Sequence, residues 1–277
     1  MPLPGTPEAD VTLDPDSDSF YRPLGGMRFQ PTLHSQGAWQ PNEQHMGPVS
    51  GLIVHAVEEH VRQLHVDGDD LQLCRLSYDI LGLIPAGPSE ITVEVIRPGR
   101  TIELLNATMI AGGRPVVLAR AWRLSRQDTT EVTGGLPEPM PAPDTWPLWR
   151  GSDVWRGGYI AAIEIRIEPG GAPGRVRAWL RTDKTLVEQV TSSDLARFVG
   201  LVDTANGIAT RVPPAEWMFP NTDLSVHLYR TPVGGWVGLD TTVTFGRTGL
   251  GLTSSTLYDE SGPVGRAEQV LTVRRLH

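Results

Sequence analysis

Apolar side chains recur every three or four positions across residues 44–66, which is the spacing of one face of an α-helix. Pro48 suits the first turn of this helix, and Gly47 suits the residue before it. A second helical pattern begins at Ser192 or the serine after it, either of which is a good N-cap, and reaches about residue 211. The sequence therefore predicts two long helices.

Shorter segments with alternating or continuous apolar positions predict strands. They follow the first helix, resume before the second helix and continue after it. The predicted strands are 71–81, 89–97, 101–111, 114–124, 159–167, 175–181, 223–229, 236–244, 251–258 and 264–273. A helix lying across an antiparallel sheet belongs to the α+β class, and the chain carries this arrangement twice.

The strand-rich unit is repeated at a nearly constant offset along the chain. Where the second copy carries Asp223 and Gln269, the first carries Arg75 and Arg120. A guanidinium group stays protonated and cannot act as a general base, so we expect the first copy to be catalytically degenerate. The corresponding segments are Leu76-Ser77 and Leu224-Ser225, Gly99-Arg100-Thr101 and Gly246-Arg247-Thr248, and Gly113-Arg114-Pro115 and Gly262-Pro263-Val264.

These patterns divide the chain into four parts. Residues 1–25 are acidic and proline-rich, and we expect them to be flexible. Residues 26–132 form the N-terminal half, 133–150 a proline-rich linker, and 151–277 the C-terminal half, which carries the chemistry. The first segment lacks the basic region and apolar core of a secretory signal.

Composition narrows the functional classes. With 39% hydrophobic and 20% charged residues, the chain has the composition of a soluble globular protein. No apolar run approaches the ~18 residues of a membrane-spanning helix. Cys74 is the single cysteine, which excludes an internal disulfide and fits a reducing cytoplasm. The net charge of −8 argues against nucleic acid as a partner, because phosphate binding requires a basic face.

The sequence lacks the motifs of several enzyme classes and binding sites. There is no Gly-x-Ser-x-Gly elbow, so a serine α/β-hydrolase is not supported. No Walker or dinucleotide glycine pattern is present, and we expect no cofactor. His55, His60 and His65 lie along one helix without a pattern of acidic co-ligands, so we also expect no metal site.

The order of several short motifs resembles the double hot-dog fold of the acyl-CoA thioesterase II type and of related actinobacterial thioesterase-like proteins. The resemblance implies two long helices, each wrapped by an antiparallel sheet and related by a pseudo-twofold repeat. It also implies hydrolysis of acyl-CoA thioesters by an activated water, without an acyl-enzyme intermediate. The motifs are Gln44-His45-Met46-Gly47, Arg97-Pro98-Gly99-Arg100, Gly113-Arg114-Pro115, 223–230, 236–244, Leu257-Tyr258-Asp259, and Gln269 with Arg274.

In the resembled family, an Asp, a Ser or Thr, and a Gln of the second half hold the attacking water. Motif by motif, these roles fall on Asp223, Thr244 and Gln269, with Thr242 on the same strand face as Thr244. Physically the set is coherent, since a carboxylate accepts a proton while a hydroxyl and an amide orient the water.

Asp203 is a rival base. The segment 201–207 resembles the helix of single hot-dog thioesterases of the phenylacetate-pathway type, whose catalytic Asp lies in a similar Asp-Thr-Ala context. His45 and Gly47 open the first helix, where exposed N–H groups favour an oxyanion, so we expect them to contact the thioester carbonyl. The structural alternatives are a contact with a dimer partner or a polar contact within the core for Asp203, and a helix cap or a packing contact for His45.

An anionic nucleotide requires gathered positive charge in a chain of net charge −8. We expect Arg97, Arg100 and Arg247, in corresponding turns of the two halves, to bind it. The unpaired sheet edges or faces also suggest a homodimer or a higher homo-oligomer. Two other functions stay open on the same scaffold: a non-catalytic acyl-binding protein, and a dehydratase or hydratase, although the His and Asp motifs of the latter are absent.

Overall fold

The computed structural model describes residues 13–65, 68 and 70–276. Its helices are α1 (Met46–Leu64), α2 (Gly158–Ala161), α3 (Asp194–Val202) and α4 (Ala205–Ile208), with 3-10 turns at Leu33–Ser35, Thr130–Val132, Pro143–Thr145 and Gly151–Asp153. Its strands are β1 (Ser19–Pro23), β2 (Arg28–Pro31), β3 (Leu71–Ile80), β4 (Ser89–Arg97), β5 (Ile102–Ala111), β6 (Arg114–Ser125), β7 (Leu148–Trp149), β8 (Glu164–Ile167), β9 (Arg175–Arg181), β10 (Thr185–Val187), β11 (Trp217–Met218), β12 (Asp223–Leu228), β13 (Val237–Phe245), β14 (Leu250–Asp259), β15 (Gly262–Thr272) and β16 (Arg274–Arg275).

One large sheet joins both halves of the chain. Its strand order is β10-β1-β2-β4-β5-β6-β3-β12-β15-β14-β13-β9-β8-β7. The halves meet where β3 and β12 run antiparallel, with Ser77 opposite Ser225. On either side of this pair the next three strands are antiparallel neighbours, β6-β5-β4 in one direction and β15-β14-β13 in the other.

Alternation along the central strands decides which side chains face the helices. In β12, Leu224 and Val226 are fully buried while Asp223 is only half-buried. In β15, Gln269 and Leu271 are buried while Val270 is exposed. Because side chains two positions apart share a face of a strand, Gln269 faces the helices and Asp223 faces away from them.

Helices α1 and α3 cross at small residues. A Cβ atom added to Gly51 would lie 2.6 Å from the carbonyl oxygen of Ala196, so only glycine permits this approach. The hydroxyl of Ser50 donates a hydrogen bond to the carbonyl of Val199 at 3.0 Å. The crossing brings the beginning of α1 beside the end of α3, and the candidate functional site lies at this meeting point.

The second long helix predicted from residue 192 to about 211 is wrong in its length. Helix α3 ends at Val202, and the single turn α4 follows. The hydroxyl of Tyr159 explains the interruption, since it bonds to the carbonyl of Gly200 at 3.1 Å and to the hydroxyl of Thr204 at 2.7 Å. Tyr159 itself lies in the turn α2, so only residues 164–167 of the predicted strand 159–167 are extended.

The expectation of a flexible segment 1–25 also needs correction. Residues 1–12 lie outside the described part of the chain. Ser19–Pro23, however, form β1, which pairs with β2 and β10. Phe20 and Tyr21 are buried in the core, and the hydroxyl of Tyr21 donates to Gln44 at 3.0 Å. The alternation of this short strand was obscured by the acidic residues that precede it.

Candidate active site

A cavity of about 460 Å³ opens where the start of α1, the end of α3 and the loop before β12 come together. Much of its wall is apolar, with Trp39, Met46, Ile84, Trp155 and Ile160 among the lining residues. Its ionisable and polar lining includes His45, Asp203, Asn206, Asn221 and Arg274. A concave, mostly apolar cavity with a few convergent polar groups is typical of a small-molecule site.

Asp203 is the buried carboxylate of this cavity. It caps the C-terminal end of α3 and is 5% exposed. Its Oδ1 accepts hydrogen bonds from the side-chain amides of Asn221 and Gln269, each at 2.8 Å. The second oxygen, Oδ2, receives neither amide. Asp203 therefore has one oxygen held by two amide donors and one that receives no amide donor.

The electrostatic surroundings of Asp203 favour proton exchange near neutral pH. Burial raises the pKa of Asp203 to about 6, and the hydrogen bonds from Asn221 and Gln269 oppose this rise because they stabilise the anion. A carboxylate with a pKa closer to the working pH than usual is well matched to general base catalysis.

His45 faces Asp203 from the other helix. Its Nδ1 accepts the N–H of Gly47 at 3.0 Å as the N-cap of α1, and its ring stacks on Tyr159 with centroids 4.1 Å apart. The same Nδ1 lies 3.5 Å from Oδ2 of Asp203. Burial lowers the pKa of His45 to about 3, so the ring is neutral and carries its proton on Nε2. Nδ1 of His45 and Oδ2 of Asp203 are therefore both hydrogen-bond acceptors, and they face each other at the cavity wall.

Gln269 holds the carboxylate from the sheet. Besides the bond to Oδ1, its Nε2 lies 3.5 Å from the backbone oxygen of Asp203. Gln269 is fully buried, and its Oε1 has no partner among the described residues. Thr253 lies directly opposite on β14, and its buried Oγ1 is likewise unpartnered within the described chain. The sheet therefore presents an amide and a hydroxyl side by side beneath Asp203.

Asn221 was missed by the sequence analysis. It lies in the loop before β12, and its Nδ2 bonds both to Oδ1 of Asp203 and, at 2.9 Å, to the backbone oxygen of Asp223. Asn is a common loop residue, so its type alone carries no signal. The signal was its place two residues before a strand beside the candidate Asp223, where it contributes an amide instead of the expected hydroxyl.

The structure does not bring Asp223, Thr244 and Gln269 together. Asp223 lies on the opposite face of the sheet from Gln269, and its Oδ1 accepts the backbone N–H of Val270 at 2.6 Å. Burial raises the pKa of Asp223, and the nearby Asp79 adds to the rise. Thr244 is exposed, as is Thr242, whereas Thr241 and Val243 of the same strand are buried. Both Asp223 and Thr244 fall on the outward positions of the period-two pattern.

Gly47 lies at the helix crossing and not on the cavity wall. A Cβ at this position would lie 2.8 Å from the carbonyl oxygen of Gly200 and 2.7 Å from the hydroxyl of Tyr159. Its N–H donates to His45. The expected contact with a thioester carbonyl is therefore not available to the N–H of Gly47 in this arrangement.

The three arginines of the expected nucleotide site lie at two different ends of the sheet. Arg97 donates to the carbonyl of Ile102 within its own hairpin. This turn, which includes Arg100, adjoins the position where Gln72 pairs with Leu124 in the sheet. Gln72 lies eight residues along β3 from Ile80, which lines the cavity. At about 3.4 Å per residue this separation is roughly 27 Å.

Arg247, in contrast, lies at the cavity end. It belongs to the turn between β13 and β14, where the carbonyl of Gly249 accepts the N–H of Val273 at 2.8 Å. The next residue, Arg274, lines the cavity and donates to the sulfur of Met218 at 3.0 Å. Arg247 and Arg274 are thus two basic groups at this end of the sheet, and the second of these was not predicted.

Comparison with known families confirms the resemblance inferred from the motifs. Residues 35–124 match the model of the acyl-CoA thioesterase N-terminal domain, and residues 134–273 match that of the acyl-CoA thioesterase C-terminal domain. No curated protein sequence matches the chain significantly. No helix within the described residues has the length and apolar character needed to cross a bilayer.

Solved structures share the hot-dog fold at low sequence identity. A proposed thioesterase from Novosphingobium aromaticivorans is 20% identical, with 95% of this chain and 99% of that chain covered and a TM-score of 0.67. A hot-dog protein of unknown function from Alicyclobacillus acidocaldarius is 14% identical, with coverages of 92% and 96% and a TM-score of 0.72. The acyl-CoA thioesterase II TesB2 from Mycobacterium marinum is 16% identical, with coverages of 88% and 96% and a TM-score of 0.61.

Proposed function

Because the chain belongs to the acyl-CoA thioesterase family, we propose that it hydrolyses acyl-CoA thioesters with Asp203 as the general base. The observation that carries this assignment is the carboxylate at the cavity wall, held by two amides through Oδ1 and open at Oδ2. Asp203 and Gln269 are kept from the sequence-based candidates. Asn221 takes the place given there to a hydroxyl.

The proposed reaction begins with a water bound against Oδ2 of Asp203. Asp203 accepts a proton from the water while the water oxygen attacks the carbonyl carbon of the thioester. The tetrahedral intermediate carries its negative charge on the former carbonyl oxygen, and the neutral ring of His45 donates its Nε2–H to that oxygen. The carbon–sulfur bond then breaks, and the proton passes from Asp203 to the thiolate of CoA, which leaves the free acid.

Gln269 and Asn221 position Asp203 in this scheme. Two N–H donors on one oxygen fix the plane of the carboxylate and keep its charged form accessible despite burial. Without them, burial alone would raise the pKa of Asp203 further. The residues that hold Asp203 come from the loop before β12 and from β15, so the base and the amides that position it lie in the second half of the chain, while His45 comes from the first half.

The test compares two carboxylates of the second half by the same conservative change. Thiol release from a panel of acyl-CoAs is followed with a chromogenic disulfide. We expect Asp203→Asn to lower kcat/KM by a factor of about 10² or more, as loss of a general base does. Asp223→Asn, which keeps an oxygen for the N–H of Val270, is the matched control and should stay within about threefold of wild type.

The reverse result, an inactive Asp223→Asn beside an active Asp203→Asn, would make Asp223 the base. If wild type releases no thiol from any acyl-CoA but still binds the substrates, the non-catalytic acyl-binding alternative holds instead.

The remaining assignments complete the proposal. The halves 26–132 and 151–277, joined by 133–150, are two pseudo-twofold-related hot-dog units, each with a sheet wrapped around a helix, of which only the second is catalytic. Leu250, Leu252 and Val270 are exposed on the outer face of β14 and β15, which supports a homo-oligomer formed through this face. A location in the cytoplasm fits the single Cys74.

A further inference from the structure

In the proposed function the acyl group of a substrate occupies the cavity that Asp203 lines, and the following inference rests on that function. Trp39 and Trp155 form the aromatic wall there, packed edge to face with ring centroids 5.0 Å apart. The two rings provide the apolar surface that an alkyl chain requires. Asn206 is one of the polar residues that line the same cavity, and an alkyl chain does not require it.

Asn206 follows Asp203 by one helical turn. The intervening backbone stays in the right-handed helical region, with φ −62° at Asp203 and φ −64° at Thr204. Side chains three positions apart on a helix share a face, with Cβ atoms about 5–6 Å apart. Both side chains line the same cavity. A group bound at Asn206 is therefore within a few bonds of a carbonyl carbon placed at Asp203.

The orientation of the Asn206 amide is fixed by its neighbour. Its Nδ2 donates to the carbonyl of Phe219 at 2.9 Å, and a carbonyl accepts only from the nitrogen side of the amide. The oxygen, Oδ1, is then the free end. Asn206 is 7% exposed, and its Oδ1 is buried without a hydrogen-bond partner among the described residues. Asn206 thus lines the cavity and carries an unpaired acceptor that is buried in the cavity wall.

The neighbouring donors have other partners. The indole N–H of Trp155 donates to the carbonyl of Gly207 at 2.8 Å, and the hydroxyl of Thr204 pairs with that of Tyr159. A buried acceptor without a donor is costly, and a purely alkyl chain would leave it so. A ligand that brings its own O–H removes this cost.

We propose that this site is built for acyl groups with a hydroxyl on the third or fourth carbon, which donates a hydrogen bond to Oδ1 of Asn206. The thioester carbonyl then lies at Asp203, and the remaining chain extends along Trp39 and Trp155. A site that hydrogen-bonds a substrate hydroxyl discriminates strongly against the analogue that lacks it, because the protein group is then left unpaired. Asn206 is accordingly the specificity-determining residue.

The experiment pairs two substitutions that differ only in the acceptor. Asn206→Leu removes both the bond to Phe219 and the free oxygen. Asn206→Asp is the matched control: a carboxyl buried at this depth takes up a proton, donates to Phe219 and keeps an acceptor oxygen. For each protein, kcat/KM is measured on 3-hydroxyacyl-, 4-hydroxyacyl- and unsubstituted acyl-CoA of equal chain length, and folding is checked by thermal melting.

We expect wild type to prefer one hydroxyacyl-CoA over the unsubstituted one by about tenfold or more. Asn206→Asp should keep this preference, and Asn206→Leu should abolish or reverse it. Equal rates in wild type would overturn the inference, and would mean that water satisfies Asn206. A preference that survives Asn206→Leu would equally exclude Asn206 as its source.

A second measurement separates this inference from the proposed function. Binding of S-alkyl-CoA thioethers with and without the hydroxyl is measured by calorimetry on Asp203→Asn, which needs no hydrolysis. A hydroxyl preference in binding without thiol release by wild type would support the acyl site and refute the hydrolase. Thiol release by wild type without any hydroxyl preference would support the hydrolase and refute the acyl site. If Asn206→Leu does not fold, the comparison of substrates on wild type and the comparison of thioethers on Asp203→Asn still decide.

Discussion

The side-chain nitrogen of Gln269 lies 2.8 Å from Oδ1 of Asp203, across 66 residues of sequence. The amide comes from the buried face of β15 and the carboxylate from the end of α3, so this contact ties the sheet to the helix. Asn221 adds a second N–H to the same oxygen. In the proposed reaction the opposite oxygen binds the attacking water, which makes the pair the structural centre of the proposed chemistry.

The acid limb of the pH–rate profile should report Asp203. Because burial raises its pKa to about 6, the carboxylate is protonated and inactive below this pH. We expect kcat/KM to rise with pH through about 6 and to level off above it. The measurement is a profile at constant ionic strength with a saturable acyl-CoA. An acid limb near 4 would mean that the base is an unperturbed carboxylate elsewhere.

Removal of an amide that donates to Asp203 should shift the pH of the acid limb. The bonds from Asn221 and Gln269 lower the pKa of Asp203 against the effect of burial, so their removal lets it rise. We expect Asn221→Leu and Gln269→Leu each to shift the acid limb upward by about one pH unit and to reduce the plateau about tenfold or more. If the variants lose activity but the acid limb stays at the same pH, the two amides do not act through the pKa of Asp203.

The proposed base also carries a cost in stability. The folded-state pKa of Asp203, about 6, exceeds the ordinary value of 3.8, so the folded protein binds this proton more tightly than the unfolded chain does. The charged carboxylate therefore destabilises the fold progressively between pH 4 and 6 and fully above pH 6. At about 1.4 kcal/mol per pKa unit, the penalty approaches about 3 kcal/mol.

Asp203→Asn should remove this penalty. The new side chain can accept both amide N–H groups on its oxygen, and its NH2 group replaces the acceptor oxygen that faces Nδ1 of His45 at 3.5 Å in the wild type. We expect the variant to be more stable than wild type at pH 8 by about 1–3 kcal/mol, with the difference vanishing near pH 4. Urea unfolding at both pH values measures it, and a variant destabilised at pH 8 would contradict the raised pKa.

The helix crossing that positions Asp203 should depend on Gly51. Its Cβ would lie 2.6 Å from the carbonyl oxygen of Ala196 and 3.0 Å from the Cα of Gly200, both backbone atoms that cannot rotate away. We expect Gly51→Ala to lower the free energy of unfolding by about 1–3 kcal/mol and to impair turnover. Gly87→Ala is the control, because nothing lies within 4 Å of its added Cβ. Equal stability of the two variants would show that α1 and α3 can separate freely.

Much of the fold followed from local pattern. The strands were predictable because their alternation is long and regular, and β4 and β9 begin and end where the sequence indicated. The length of the second helix was not predictable, because its interruption depends on the hydroxyl of Tyr159, which is distant in sequence. A long-range hydrogen bond of this kind does not alter the spacing of apolar residues along the sequence.

The candidate site was only partly predictable for a related reason. Gln269 was noticed because an amide interrupts an apolar strand, and Asp203 because of its Asp-Thr-Ala context. Asp223 and Thr244 were chosen by counting along motifs, although the inward positions of their own strands belong to Leu224 and Val243. Asn221 carries only the signal of its place two residues before β12, because a loop residue acquires its partner, here Asp203, only when the chain folds.

The basic groups at the cavity end of the sheet provide the last prediction. Arg274 lines the cavity mouth, and Arg247 lies in the turn that bonds to Val273 beside it, whereas Arg100 lies at the far end of the sheet. If CoA enters at this mouth, its phosphates meet Arg247 and Arg274. Arg247→Glu and Arg274→Glu should each raise KM for acyl-CoA about fivefold or more at low salt, and less at about 0.5 M salt, where charges are screened.

Arg100→Glu makes the same charge change roughly 27 Å away and should leave KM unchanged. A thioester that lacks the nucleotide should be insensitive to all three substitutions, so a comparable rise in its KM would show damage to the acyl site instead of a lost phosphate contact.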